Sequence, residues 1–457
     1  MGGSGCLRSL AALLLLFAAP KPALADSALR PELTWLLASG DTGFGLDELG
    51  ARRSGRENTL RLSSTLERAG YLPGVRSAAR LGLDLKLDEP ALASLRDASS
   101  FVSVTWQPGS FELTLRAYPL DTDSWRLGYL HALDWGGTRG EDHESIFVDA
   151  SRAPGALLEA RWSVVSLFAG AKWTQPGSSP LGRGEKRWGF LSGASLELGP
   201  RWRFEAGFGA FERPRSSFVE GASLRVVWHH GVREPELASE PFRPPSLREE
   251  ALTWALEPQL GTAVALEGVA LAQRARTVAS AARWLLAPGA ALYGSARGAL
   301  GGLHGVLAWR SAAWLARNSE GLLGAAQPSR AVTRAELSLW LGGNVRLPAQ
   351  LTPSVELGAR VPATLQSPSA LPGLVQTFVV RENGFVTALP LGSDRVPIFA
   401  ARAGLRWDAT SAVFLAVFAT YERDANRAGL RDTSEALVRV LERPDRFAVA
   451  LSARSTF

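Results

Sequence analysis

Along segment after segment of this chain, every second residue is apolar. Leu81, Leu83, Leu85 and Leu87 alternate with Gly82, Asp84, Lys86 and Asp88. Successive side chains of an extended strand point to opposite faces, so such a segment has one apolar face and one polar face. The pattern recurs. Phe111, Leu113 and Leu115 alternate with Glu112, Thr114 and Arg116, and Trp202, Phe204, Ala206 and Phe208 with Arg203, Glu205 and Gly207. Val355, Leu357, Ala359 and Val361 alternate with Glu356, Gly358 and Arg360, and Phe399, Ala401, Ala403, Leu405 and Trp407 with Arg402, Gly404 and Arg406. A helix cannot use a period of two, so the chain reads as all-β.

A soluble sandwich also alternates. Segment length separates the two architectures: these runs reach about ten residues, as a tilted membrane-spanning strand requires, whereas sandwich strands are nearer five or six. The polar positions are rich in Gly, Arg and Glu, as a wetted interior would be. The expected fold is a transmembrane antiparallel up-and-down β-barrel of about 18 strands, within a range of 16 to 20. Links alternate between short turns, such as Gly199–Arg201 and Asp408–Thr410, and long polar stretches, such as Gly136–Glu144, Pro362–Arg395 and Arg423–Asp445. Gly231–Glu250 breaks the rule, being long where a short turn is due. The segment from Asp432 to Leu441 reads as a short helix capped by Thr433 or Ser434.

The first residues carry an address. Ser9–Ala19 is apolar, and Ala23-Leu24-Ala25 supplies small residues for cleavage before Asp26. Residues 1–25 therefore read as a secretory signal peptide. Residues 26–57 alternate poorly and read as a lead-in, a plug segment or one more strand, and 58–457 as the barrel. The only cysteine, Cys6, precedes the apolar run, which excludes a lipidated cysteine after it and any disulfide within the chain. The most apolar later stretches, Leu260–Ala272 and Val278–Leu300, are interrupted by Glu267, Arg283 and Arg297, too soon for a membrane helix.

The chain ends Phe447-Ala448-Val449-Ala450-Leu451-Ser452-Ala453-Arg454-Ser455-Thr456-Phe457. An alternating strand closed by a C-terminal Phe resembles the final strand of bacterial outer-membrane β-barrel proteins. Ser455 departs from the pattern, which favours an aromatic there. The resemblance implies residence in the outer membrane of a Gram-negative bacterium, in contact with its lipid. It also implies delivery by the barrel-assembly machinery, with Phe457 as the assembly signal. It names no activity. Trp106, Trp125, Trp135, Trp173, Trp188, Trp202, Trp228 and Trp407 fall near segment ends, where interface girdles place their amphipathic rings.

The polar registers name the expected lumen lining. Its cations are Lys86, Arg116, Arg126, Arg187, Arg203, Arg225, Arg297, Arg334, Arg360, Arg402, Arg406 and Arg454, and its anions Asp84, Glu112, Glu197, Glu205, Glu336, Glu356 and Glu422. Cations outnumber anions there, which points to mild anion selectivity, unless most of these charges pair across strands. The net charge of +6 is weak support for nucleic-acid binding, because no basic cluster interleaves with stacking aromatics. No histidine has metal-ligand spacing, no nucleophile motif is present, and no cofactor is expected. The expected role is a water-filled channel or export conduit. The alternative is a barrel subunit of a multiprotein machine for polysaccharide export, motility or adhesion, with periplasmic or envelope partners docking on Gly231–Glu250. A barrel enzyme comes third, for want of a site.

Overall fold

The computed structural model describes residues 27–40, 55–69, 72–86, 94–97, 100–119, 126–127, 133–134, 154–174, 187–213, 217–231, 261–275, 283–312, 332–368, 374–380, 386–410, 413–432 and 437–456. The wall is built from β1 (Ser27–Gly40), β2 (Gly55–Ala69), β3 (Val75–Lys86), β4 in two pieces (Ser94–Asp97 and Phe101–Trp106), β5 (Phe111–Tyr118) and β6 (Gly155–Trp162). It continues with β7 (Val165–Thr174), β8 (Arg187–Leu198), β9 (Trp202–Arg213), β10 (Ser217–His230), β11 (Gly261–Ala275) and β12 (Arg283–Gly298). It ends with β13 (Gly301–Arg310), β14 (Glu336–Val345), β15 (Leu351–Val361), β16 (Ile398–Asp408), β17 (Val413–Arg423) and β18 (Asp445–Thr456).

Each strand pairs antiparallel with its neighbours in the chain. The two pieces of β4 lie end to end on β3, so the 19-stranded sheet has eighteen positions. At the break, the Ser100 hydroxyl accepts a hydrogen bond from the Gly82 amide (2.9 Å) and donates to the Gly82 carbonyl (3.3 Å), standing in for the lost ladder rung. β1 pairs with β2 on one side and β18 on the other, with Leu37 opposite Leu451 and Ala38 opposite Ala450. Among the described residues the succession of strand pairs therefore returns on itself, the condition for a sheet that lipid can surround.

Ser27–Gly40 is thus the first wall strand, and the wall begins there rather than at Asn58. Pro31 and the unbroken apolar run Trp35-Leu36-Leu37-Ala38 hide its alternation in the sequence. At one end of the barrel, where β1 begins and β18 ends, the turns are short, for example Ser163–Val164 and Gly199–Arg201. At the other end most links are long, the three-residue link 214–216 between β9 and β10 being an exception. β10 ends and β11 begins at the short-turn end and the two pair directly, so no strand is missing between them; residues 232–260, which join them, lie outside the described residues.

Part of the long links is ordered. Residues expected as a plain polar link between Pro362 and Arg395 form most of a four-stranded sheet of Val332–Arg334, Ala363–Pro368, Val375–Val380 and Val386–Ala388. Its first two strands continue β14 and β15 beyond the wall. Ala428–Asp432 pairs with Leu437–Leu441, which replaces the helix expected across Asp432–Leu441. There Val438 and Val440 stand opposite Arg431 and Gly429, and β-branched residues gain more from a pleated partner than a capped single turn offers.

One face of the wall is exposed and apolar: Leu224, Leu266, Leu303, Leu357, Phe399 and Val449 all stand out from it. The opposite face is concave and buried. Bulky rings fit there because glycines face them: the Trp340 indole lies over Gly358 and the Phe168 ring over Gly193, where a Cβ would overlap each ring.

Candidate functional site

The concave face collects the charges. Glu112, Arg116, Glu197, Arg203, Glu205, Arg225, Arg297, Glu336, Glu356, Arg360, Arg402, Arg406 and Glu422 all fall on the alternate positions that face inward. Lys86, Asp84, Arg187 and Arg454 hold inward registers on β3, β8 and β18. Two of the expected residues lie elsewhere. Arg126 is not on a wall strand: it belongs to a short pair, Arg126–Leu127 with Leu133–Asp134, inside the β5–β6 link and alongside β9 and β10. Arg334 lies on the outer four-stranded sheet, where it binds Asp394 at 2.8 Å. The backbone leaves the wall at Ala335, although the alternation runs on through it.

Sequence reasoning missed Glu159, Arg161, Lys172, Glu267, Arg310 and Asp408, which also face inward. Glu267 was hidden because the other inward positions of β11 are Ala263, Ala265 and Val269, so both faces of that strand look apolar.

The inward charges are organised in pairs. Glu205 takes Arg203 on its own strand (3.0 Å) and Arg225 across the sheet (2.9 Å), and Glu267 stands directly opposite Arg225. Arg116 faces Glu159 and Arg310 faces Glu336, each at 3.8 Å. Arg406 binds Asp408 at 2.6 Å, and Arg427 binds Glu422 at 3.1 Å. Three guanidiniums also lie on rings: Arg406 over Phe414 (4.0 Å), Arg402 over Phe418 (4.2 Å) and Arg116 over Phe101 (4.9 Å). Much of the inward charge is therefore paired within the wall.

Beside the charges runs an apolar band. Val227, Ala265, Tyr293, Val306 and Trp340 are directly opposite one another across β10 to β14. Arg203, Glu267 and Tyr293 are 0% exposed. A wide water column would wet all three, so at this level the interior is narrow or filled.

The outer rims carry aromatics. Trp106, Trp202, Trp228 and Trp407 stand toward the short-turn end, joined by Trp162, which the sequence did not single out. Trp188 stands at the other rim, opposite Trp173 in register and joined by Trp309. Trp125, Trp135, Phe457 and the cleavage site before Asp26 lie outside the described residues. Among the described residues, no group of three His, Cys, Asp or Glu is placed to hold a metal ion.

No protein-family model and no curated protein matches the chain. Solved structures do. The chain is similar to OccK2 (OpdF) of Pseudomonas aeruginosa, solved with glucuronate, at 12% identity over 96% of this chain and 100% of that one, with a TM-score of 0.49. It is similar to the outer membrane protein OprD from the same organism at 11% identity, over 96% of each chain, with a TM-score of 0.48. A third likeness is to OpdK of Pseudomonas aeruginosa, solved with vanillate, at 10% identity over 95% of this chain and 100% of that one, with a TM-score of 0.49.

Proposed function

We propose that this chain is an outer-membrane barrel whose interior is a narrow passage for small solutes, with a mild preference for anions. One observation carries the reading: a closed wall that is apolar outside, ringed by aromatics at its rims, and charged inside. In water, so large an apolar exterior would drive aggregation; in lipid it is solvated, and every ladder hydrogen bond is satisfied within the wall. The full burial of Arg203, Glu267 and Tyr293 argues for a tight passage rather than a wide sieve. The anion preference rests on the count of inward groups, in which cations outnumber anions, and it is mild because many of them pair.

Purified protein in a planar bilayer under a KCl gradient tests the reading. Small, stable current steps with a reversal potential shifted toward anions, fading at high salt, are expected. A clear cation preference would refute the lumen assignment. Replacing Arg402 and Arg406 together with Glu should move the potential toward cations.

A second reading has one observation of its own. β10 and β11 are joined at the short-turn end by a long link that contains Gly231–Glu250, and this end faces the periplasm if the C-terminal strand ends there. As a docking segment it would make the barrel a platform for envelope partners. A folded barrel that is silent in bilayers yet retains periplasmic proteins through this segment would favour that reading.

A further inference from the structure

Three consecutive residues, Asp394 to Val396, join separate parts of the rim at the long-link end. Arg395 Nη1 donates to the carbonyls of Ala335 (2.8 Å) and Pro362 (2.6 Å). These are the single residues at which β14 and β15 leave the wall for the outer sheet. A carbonyl at such a kink has lost its ladder partner, and a guanidinium N–H restores it. Asp394 accepts from Arg334 Nη1 (2.8 Å) and from Gln366 Nε2 (3.4 Å), one residue from each of the first two strands of that sheet. Val396 donates its amide to Asn426 Oδ1 and accepts from Asn426 Nδ2, both at 2.7 Å. Asn426 is buried, and Asp424 holds it through its backbone amide (2.9 Å) and its side-chain amide (3.0 Å).

We propose that Asp394–Arg395–Val396 is the clasp that fixes the outer four-stranded sheet to the rim and to the β17–β18 link, and so holds the outer mouth in one shape. The second half rests on reading the barrel as a passage. The partners are not equal. The Asp394 and Arg334 side chains are 53% and 41% exposed, and a pair so wetted adds little. The strength lies in the bonds from Arg395 to the two kink carbonyls and in the two-point bond of Asn426 to Val396. Arg395 and Asn426 are therefore the positioning residues.

Hydrogen exchange on the full chain in detergent micelles tests the clasp without reference to transport. In Arg395→Ala, and independently in Asn426→Ala, amides of 363–368 and 375–380 should exchange roughly tenfold faster as those bonds are lost. Those of 413–423 should be unchanged. Unchanged exchange in the outer sheet of both variants would overturn the clasp. In bilayers the same variants should show noisy currents with brief closures where the parent is steady. Faster exchange with currents as quiet as the parent's would overturn the mouth's dependence on the clasp. A parent that gives no current would sink the passage reading instead, and the exchange data would still judge the clasp.

Discussion

Glu205 is the residue on which the inner wall's charge balance turns. It is buried with Arg203 at 3.0 Å and Arg225 at 2.9 Å. Removing one partner of a buried ion cluster strands the other charges, at a cost of about 3–5 kcal/mol. Arg225→Ala should lower stability by that amount, measured as the urea midpoint of the protein in lipid vesicles; a change within error would mean that the cluster is wetted. Gly358 is the steric counterpart. Any Cβ there enters the Trp340 ring, and overpacking of this kind costs about 1–3 kcal/mol. Gly358→Val should therefore lower the temperature at which the folded band is lost on a gel, and Trp340→Ala in the same chain should relieve part of that loss. Arg203, Glu205 and Arg225 were legible in the sequence because each breaks an apolar run at the right parity. Glu267 was not, because its inward neighbours are Ala and Val.

Among the elements, the outer sheet was the least legible. Its strands are three to six residues long, too short for a period to declare itself, and prolines and glycines punctuate them. Arg334 was assigned to the wall for a related reason: the kink at Ala335 leaves no mark in the alternation. What holds this sheet is partly electrostatic, and that has a pH signature. The hydrogen bonds from Arg334 and from the Arg395 amide favour the charged Asp394, holding its carboxyl below the ordinary value of 3.8. A depressed carboxylate contributes above its unfolded value and loses that contribution as pH falls through the folded one. After correction for intrinsic rates, exchange in 363–368 should stay flat from neutral pH down to about 4 and rise below it. Asp394→Asn should abolish that acid step, and a step that persists in this variant would assign it to another group. The step is small, since the pair is exposed.

At the scale of the whole molecule, the strand period, the approximate strand number and the alternation of short and long links could all be read from residues. Each depends only on neighbours along the chain. What lies across the interior depends on distant residues, and so the full burial of Arg203, Glu267 and Tyr293 was out of reach. The place of Ser27–Gly40 was equally hidden, because its identity as a strand comes from its two partners rather than from its own pattern. Everything argued about an inside and an outside rests on that seam. Cysteines at Ala38 and Ala450, which face each other across it, test it directly in the folded, lipid-embedded protein. Mild oxidation should link the two into one circularised band, while the offset pair Ala38→Cys with Ala448→Cys should link poorly. Failure of the matched pair to link in protein that still migrates as folded would mean that the sheet is open and that there is no interior for a solute to cross.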